Sequence, residues 1–157
     1  MGYNFLKADR YWSGVLQVTG KRSRQWQADL TSLAEIREFV EGCAKTLGAN
    51  ESQTSDVLLA VNEAVTNSIL HGYGGFGPVR IEVDRDKGQL CVCVADQAPP
   101  FDPTQHITPD INRPLDECGL GGMGIHMMRT LTDDMVYHAP TEGGNELTLK
   151  KNLSEDV

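Results

Sequence analysis

The sequence predicts an α+β fold, a two-layer sandwich in which helices cover one face of a mostly antiparallel sheet. Two stretches, 31–48 and 51–71, carry apolar residues three or four positions apart, which is typical of amphipathic helices. Residues 79–95 and 135–150 each contain two strand-like runs joined by a short turn. No repeated strand–helix–strand pattern is visible, so a parallel sheet is not expected.

The length of 157 residues suits one domain, with 39% hydrophobic and 23% charged residues, close to globular averages. We expect a weakly patterned N-terminal segment at 1–24, a single domain at 25–151 and a short tail at 152–157. The chain should fold around a core, and neither a fibrous repeat nor a disordered protein fits this composition.

The net charge of −8 argues against a nucleic-acid partner, because the only dense basic stretch, 21–24, is too short for a phosphate-binding surface. No apolar run approaches the roughly 18 residues that a membrane span needs. The four cysteines lack CxxC spacing, and Cys91 and Cys93 share one strand face, so buried reduced thiols are expected. These features favour a cytoplasmic protein without a membrane segment.

The first helix is predicted to begin behind a cap at Asp29 or Thr31 and to end before Gly48. The second should begin between positions 51 and 55 and run to His71. Its apolar stripe is expected to contain Leu58, Val61, Val65 and Ile69.

Local patterns predict the remaining elements. Residues 79–83 and 89–95 should form a hairpin, and 97–120, which contains five prolines and almost no periodicity, should form a lid-like loop. A helix is predicted from Gly121 or Gly122 to Leu131, and strands are predicted at 135–138 and 146–150. The only strand-like piece in the first twenty residues is 15–18.

Glu63, Asn67 and His71 are spaced by four and should share one face of the second helix. Spacing alone leaves open whether this face is a solvated stripe or a cavity wall; the apolar neighbours Leu59, Ala60, Ala64 and Leu70 favour a cavity wall. In that interpretation an Asn oxygen binds Mg²⁺ and a carboxylate accepts a proton from a nucleophile. His71, beside a glycine turn, is interpreted as a helix-end cap.

Asp96 ends an apolar strand, and such a carboxylate alone predicts only a turn, whereas in a pocket it would accept a hydrogen bond from an exocyclic amine.

Residues 119–124 spell GxGxxG, but no strand precedes them, so a dinucleotide site is not expected. Their glycines allow backbone N–H groups to approach phosphates at a helix start, or act as a hinge and cap. No GxxxxGK[ST] motif is present, which excludes a P-loop.

Four segments in order, 59–73, 94–103, 121–129 and 143–149, resemble the anti-sigma-factor serine/threonine kinases. These belong to the ATPase superfamily of gyrase, the heat-shock chaperone, histidine kinases and MutL. The resemblance covers roughly residues 25–151. It implies a Bergerat, or histidine-kinase-like ATPase, fold that binds ATP and Mg²⁺.

The resemblance also implies residue roles. Glu63 would be the general base, Asn67 the Mg²⁺ ligand and Asp96 the acceptor for the adenine amine. The residues expected to bind the nucleotide are Asn67, Asp96, Ala98, Gly122, Met123, Gly124, Ile125 and Thr148, with Thr148 near the adenine. Ala98 departs from the glycine common in the family, and a Cβ there would restrict close approach or a positive φ.

Family members phosphorylate a serine or threonine on a small STAS-type antagonist protein, bind a sigma factor directly and are commonly homodimers. The leading hypothesis is therefore an anti-sigma-factor-type protein kinase. Two alternatives stay open: a partner-switching module that acts by protein contact alone, and an ATPase whose slow hydrolysis drives a conformational change.

Overall fold

The computed structural model describes residues 20–106 and 122–153. Five strands in these residues form one antiparallel sheet in the order β1-β2-β3-β5-β4. The strands are β1 (Arg22–Ala28), β2 (Gly77–Asp86), β3 (Gln89–Asp96), β4 (Asp134–His138) and β5 (Asn145–Asn152). The predicted antiparallel sheet and both predicted hairpins are confirmed.

Three helices, α1 (Leu33–Thr46), α2 (Glu51–Asn67) and α3 (Gly122–Leu131), match the predicted ones. A reciprocal pair of hydrogen bonds starts α2: Gln53 N–H donates to Asn50 Oδ1 and Asn50 N–H donates to Gln53 Oε1, both at 2.8 Å. The helix then continues into one π turn, Ser68–Gly72, where Tyr73 N–H donates to the Ser68 carbonyl at 2.9 Å.

The core lies between the helices and one face of the sheet. Burial alternates along the central strands, as a half-covered sheet requires. Val79, Ile81 and Val83 of β2, Leu90, Val92 and Val94 of β3, and Leu147 and Leu149 of β5 are buried. They form one cluster with helix residues that include Ile36, Val40, Val61, Val65, Ile125 and Met128. The two-layer prediction is therefore correct.

Strand β1 was not predicted. Its residues pair with β2, and Arg24 lies opposite buried Ile81, so arginines occupy the helix-covered face at this edge of the sheet. Arg24 stands 4.8 Å over the ring of Trp26, whose indole N–H donates to Glu35 at 3.1 Å. The short basic cluster in the sequence is therefore the start of an edge strand.

Two predictions about α2 need correction. Leu59 and Leu70 are 48% and 42% exposed, so they do not surround Glu63 with apolar walls, whereas Ala60 and Ala64 are buried. Leu58 packs only partly against the core, and the preceding Val57 is the fully buried residue. The other three predicted positions, Val61, Val65 and Ile69, are fully buried as expected, so only the first member of the stripe differs.

Cys43 is buried and free, as expected, but Cys91 and Cys93 are free and only half-buried, on the sheet face without helices. Within the described residues, no helix combines the length and apolar character that crossing a bilayer demands. The predicted piece at 15–18, the lid beyond residue 106, Gly121 and Cys118 lie outside the described residues.

Candidate functional site

A cavity of about 360 Å³ lies beside α2 and the π turn, with strand residues and the segment after β3 completing its wall. Its polar lining includes Asn67, Ser68, Asp96, Tyr137 and Asn145, and its apolar lining includes Ala64, Val94, Ile125, Met128 and Leu147. A mostly apolar pocket of this volume with a few convergent polar groups is typical of a small-molecule site.

Asp96, which is 8% exposed, accepts three hydrogen bonds. Ser68 Oγ donates to Oδ2 at 2.6 Å, whereas Asn145 Nδ2 at 2.8 Å and Ala98 N–H at 3.0 Å donate to Oδ1. An ionised carboxylate offers about four acceptor positions. The site can therefore take one more donor, as an exocyclic amine would supply.

Asn145 connects the cavity wall to the sheet. Besides Asp96, its Nδ2 group donates to the carbonyls of Ala98 and Pro99, both at 3.2 Å. Its Oδ1 accepts from Phe101 N–H at 2.8 Å and from the Tyr137 hydroxyl at 2.5 Å. One buried side chain thus fixes the backbone from 96 to 101.

Tyr73 fixes the same segment from the other side. Its hydroxyl donates to the Pro78 carbonyl at 2.6 Å and accepts from Gln97 N–H at 2.5 Å. Burial raises the pKa of Tyr73, so the hydroxyl stays protonated and able to donate at neutral pH. The Tyr73 hydroxyl oxygen therefore joins three parts of the chain: the end of the π turn, the start of β2 and the residue after Asp96.

Glu63 and Asn67 lie where α2 packs against α3. A Cβ on Gly124 would come within 2.7 Å of Glu63 Oε2 and 3.8 Å of Asn67 Nδ2. Asn67 also lines the cavity that contains Asp96. The fold thus brings Glu63, Asn67, Asp96 and Gly124 to one region.

Ala98 lines the cavity, and its methyl group faces Gly72, where an added Cβ would be 2.7 Å away. Among the described residues, Lys87 is the only non-glycine with a positive φ, so Ala98 needs no glycine-like backbone. The position therefore does not require a positive φ. The Ala98 methyl group has room because Gly72, opposite it, has no side chain.

The other predicted site residues lie in different surroundings. Ile125 lines the cavity, Gly122 is the first residue of α3, and half-buried Met123 comes next to it. His71 is exposed at the cavity. The carbonyls of Ser68 and Ile69 accept from Tyr73 and Gly75 N–H groups at 2.9 and 2.7 Å, so backbone amides cap the helix end.

Thr148 does not reach this cavity. It lies on β5 opposite Cys93 and Val136, on the sheet face that the helices leave uncovered. Its neighbour Leu147 points to the other face and lines the cavity. Asn145, at the start of the same strand, is the β5 residue that touches Asp96.

Sequence reasoning missed Ser68, Tyr73, Tyr137 and Asn145. The available signal for Asn145 was its place after two glycines, in phase with buried Leu147 and Leu149. No comparable signal identified Ser68, since an Asn-Ser pair at the end of a helix is ordinary.

A family model described as a histidine kinase-like ATPase domain matches residues 26–151. Together with the antiparallel sheet, the helical layer and the cavity, this match defines the class as an ATPase-type α+β domain. The chain belongs to the histidine kinase-like ATPase family.

Among similar proteins, an anti-sigma F factor from Clostridium beijerinckii is 30% identical over 136 residues, or 85% of this chain and 95% of that protein. A serine-protein kinase RsbW from Bacillus licheniformis is 28% identical over 128 residues, covering 77% and 78% of the two chains. A serine/threonine-protein kinase BtrW from Bordetella bronchiseptica is 29% identical, with 62% and 70% covered.

Solved structures share the fold. The Pseudomonas aeruginosa SiaB–SiaC complex contains a chain that superposes with a TM-score of 0.63 at 14% identity, covering 94% of this chain and 97% of that one. The RsbU and RsbW domains of a Mycobacterium tuberculosis protein give 0.58 at 18% identity. The match covers 86% of this chain but only 33% of that longer one.

Proposed function

We propose that this chain is an Mg-ATP-dependent serine/threonine protein kinase of the anti-sigma-factor type. The observation that carries this proposal is the placement of Glu63 and Asn67 together at the α2–α3 contact, beside the cavity that holds Asp96. The family match and the kinase and anti-sigma-factor names of the relatives support it.

The cavity suits the adenine end of ATP. Asp96 has acceptor capacity left for the amine, and apolar walls from Val94, Ile125 and Leu147 suit a flat base. Ala98 contributes its methyl group to the same wall. Backbone groups of Gly122, Met123, Gly124 and Ile125, at the start of α3, would face the phosphates, where the helix dipole favours anions. Thr148 is left out because it lies on the opposite face.

Asn67 would hold Mg²⁺ through its amide oxygen, a ligand type that this hard ion accepts. Within 20–106 and 122–153 no group of three or more His, Cys, Asp or Glu side chains is arranged to hold a metal. The ion would therefore bind Asn67 together with phosphate oxygens and water. When bound, Mg²⁺ neutralises phosphate charge during transfer.

Glu63 would accept the proton of the attacking hydroxyl. Its carboxylate is half-buried and lies one helical turn from Asn67, so a hydroxyl near the metal-bound phosphate would be within its reach. Positioning of the reactants and exclusion of water would supply most of the rate acceleration.

The substrate in this proposal is a serine or threonine on a small STAS-type antagonist, and the same chain would bind a sigma factor. Homodimer formation and a cytoplasmic setting belong to the proposal as well. The names of the anti-sigma factor and RsbW relatives support the first part, since those proteins share most of this chain's length.

The test is incubation of the full chain with radiolabelled ATP, Mg²⁺ and a candidate antagonist. Label on the antagonist, lost in Glu63→Gln and in Asn67→Ala but kept in Glu51→Gln, would support the kinase; Glu51 is an exposed carboxylate on the same helix. Nucleotide-dependent binding without label would instead indicate the partner-switching module. Phosphate release without any acceptor would indicate an ATPase.

A further inference from the structure

We infer that the Glu63 carboxylate occupies the space that a side chain at Gly124 would fill, here called the seat of Glu63. Gly124 is therefore a positioning residue for proton transfer. The inference rests on the proposed role of Glu63. It assigns the glycine a purpose different from close approach to a phosphate.

The distances carry this inference. A Cβ on Gly124 would lie 2.7 Å from Glu63 Oε2 and 3.7 Å from Glu63 Cδ. The shorter distance is well inside ordinary van der Waals contact, so any other residue would push the carboxylate from its present place.

Backbone conformation does not explain this glycine. Gly124 is a buried helical residue and is not among the glycines with positive φ. Glycine is unfavourable within a helix relative to alanine, so the position needs another reason. Space for the side chain opposite is the reason that the structure offers.

The two helices cannot easily separate to relieve a clash. Ile125 and Met128 of α3 are buried in the core. Lys151 Nζ donates to Asp56 Oδ2 of α2 at 2.9 Å and to the Leu131 carbonyl, at the end of α3, at 3.0 Å. Because these contacts fix the spacing of the helices, the flexible end of Glu63 would move instead.

Gly124→Ala separates this role from phosphate binding, since alanine keeps the backbone N–H. We expect the Kd for Mg-ATP to stay within about twofold while kcat falls at least about tenfold, as expected for a misplaced base. Gly42→Ala in α1 is the matched control, because an added Cβ there meets none of the described atoms outside its own helix within 4 Å. A parallel loss of Mg-ATP affinity and kcat in Gly124→Ala would overturn the inference.

Shortening the acid should relieve the clash. Glu63→Asp alone will lower kcat, but adding Gly124→Ala to Glu63→Asp should cause no further loss, since the retracted carboxylate leaves room for the methyl group. A further tenfold loss in the double variant would contradict the seat.

A stability cycle tests the seat without any activity. Gly124→Ala should change the urea midpoint less favourably in the otherwise unchanged chain than in Glu63→Ala, where the clashing atoms are gone and only the gain in helix propensity remains. Equal changes of the midpoint in both backgrounds would refute the seat. If the unchanged chain transfers no phosphoryl group, the proposed function fails, yet this cycle still decides the inference.

Discussion

Asn145 and Asp96 lie directly opposite each other on β5 and β3, and the Asn145 amide donates to Asp96 Oδ1 at 2.8 Å. The bond connects the paired strands to the base of the cavity. Since Asn145 also holds the backbone as far as Phe101, the shape of the proposed nucleotide site depends on a residue outside the predicted set.

The first prediction concerns Asn145→Leu, which keeps the branched shape of the side chain but removes five hydrogen bonds. Stability should fall by about 2–3 kcal/mol, because buried polar partners lose their bonds. ATP affinity should fall roughly tenfold, which corresponds to about 1.4 kcal/mol. Urea denaturation and ATP titration measure the two effects.

Gln53→Ala is the control for that variant. It removes another buried polar side chain, far along α2 from the cavity, whose amide donates to the Asn152 carbonyl. It should lower stability without changing ATP affinity. If both variants weakened ATP binding equally, the specific role of Asn145 would be rejected.

The second prediction concerns the contact of Ala98 with Gly72. Ala98→Gly restores the residue common in the family, yet it should leave ATP affinity unimproved and cost about 1 kcal/mol for the lost methyl packing. Gly72→Ala should destabilise the chain more, since the two Cβ atoms would be 2.7 Å apart. The double exchange should cost less than the sum of the two, as measured by urea denaturation; simple additivity would show that the residues do not share this space.

The third prediction compares two adjacent glycines that both have positive φ, Gly143 at 106° and Gly144 at 84°. A Cβ on Gly144 would overlap the Asp96 carbonyl oxygen, whereas none of the described atoms lies within 4 Å of one on Gly143. Gly143→Ala should cost about 1 kcal/mol for backbone strain alone. Gly144→Ala should cost at least about 2 kcal/mol more and weaken ATP binding, because it displaces the chain at Asp96.

The fourth prediction concerns alkaline pH. Burial raises the pKa of Cys93 from 9.0 to about 11. Well below pH 9 the thiol is protonated in both states, so it adds no pH dependence. Between pH 9 and 11 the unfolded chain loses this proton first, and the free energy of unfolding should therefore fall as pH rises. Urea denaturation across this interval should show a shallower decline in Cys93→Ala; identical slopes would contradict the shift.

The fold was predictable where one period dominates. The helical spacing of α1 and α2 and the alternation in β2 and β3 identified these elements because each buries one regular face. Strand β1 was missed because Arg22 and Arg24 occupy the covered face, where the alternation calls for apolar residues. Strand β1 forms because it pairs with β2 and because Arg24 stacks on Trp26, and neither contact can be recognised from a short stretch of sequence.

The site was predictable on the helix and less so on the sheet. Spacing by four placed Glu63 and Asn67 on one face, and the structure puts both near Gly124. Thr148 was predicted from the motif resemblance alone. Its position in the alternation of β5 places it on the sheet face away from the cavity. The bonds of Ser68 and Asn145 to Asp96 depend on strand register and on the π turn, which are tertiary properties.

The π turn at Ser68–Gly72 makes this region sensitive to changes in chain length. Such a turn accommodates one extra residue, and each residue of a regular helix advances the side chains by about 100°. Deleting one amino acid there would restore an ordinary helix and rotate the residues C-terminal to the deletion by that angle. The contact of Gly72 with the Ala98 methyl group and the hydrogen bond from Gln97 to Tyr73 would both be lost. A deletion of one codon would therefore open the proposed adenine end of the cavity, while Glu63 and Asn67 stayed in place.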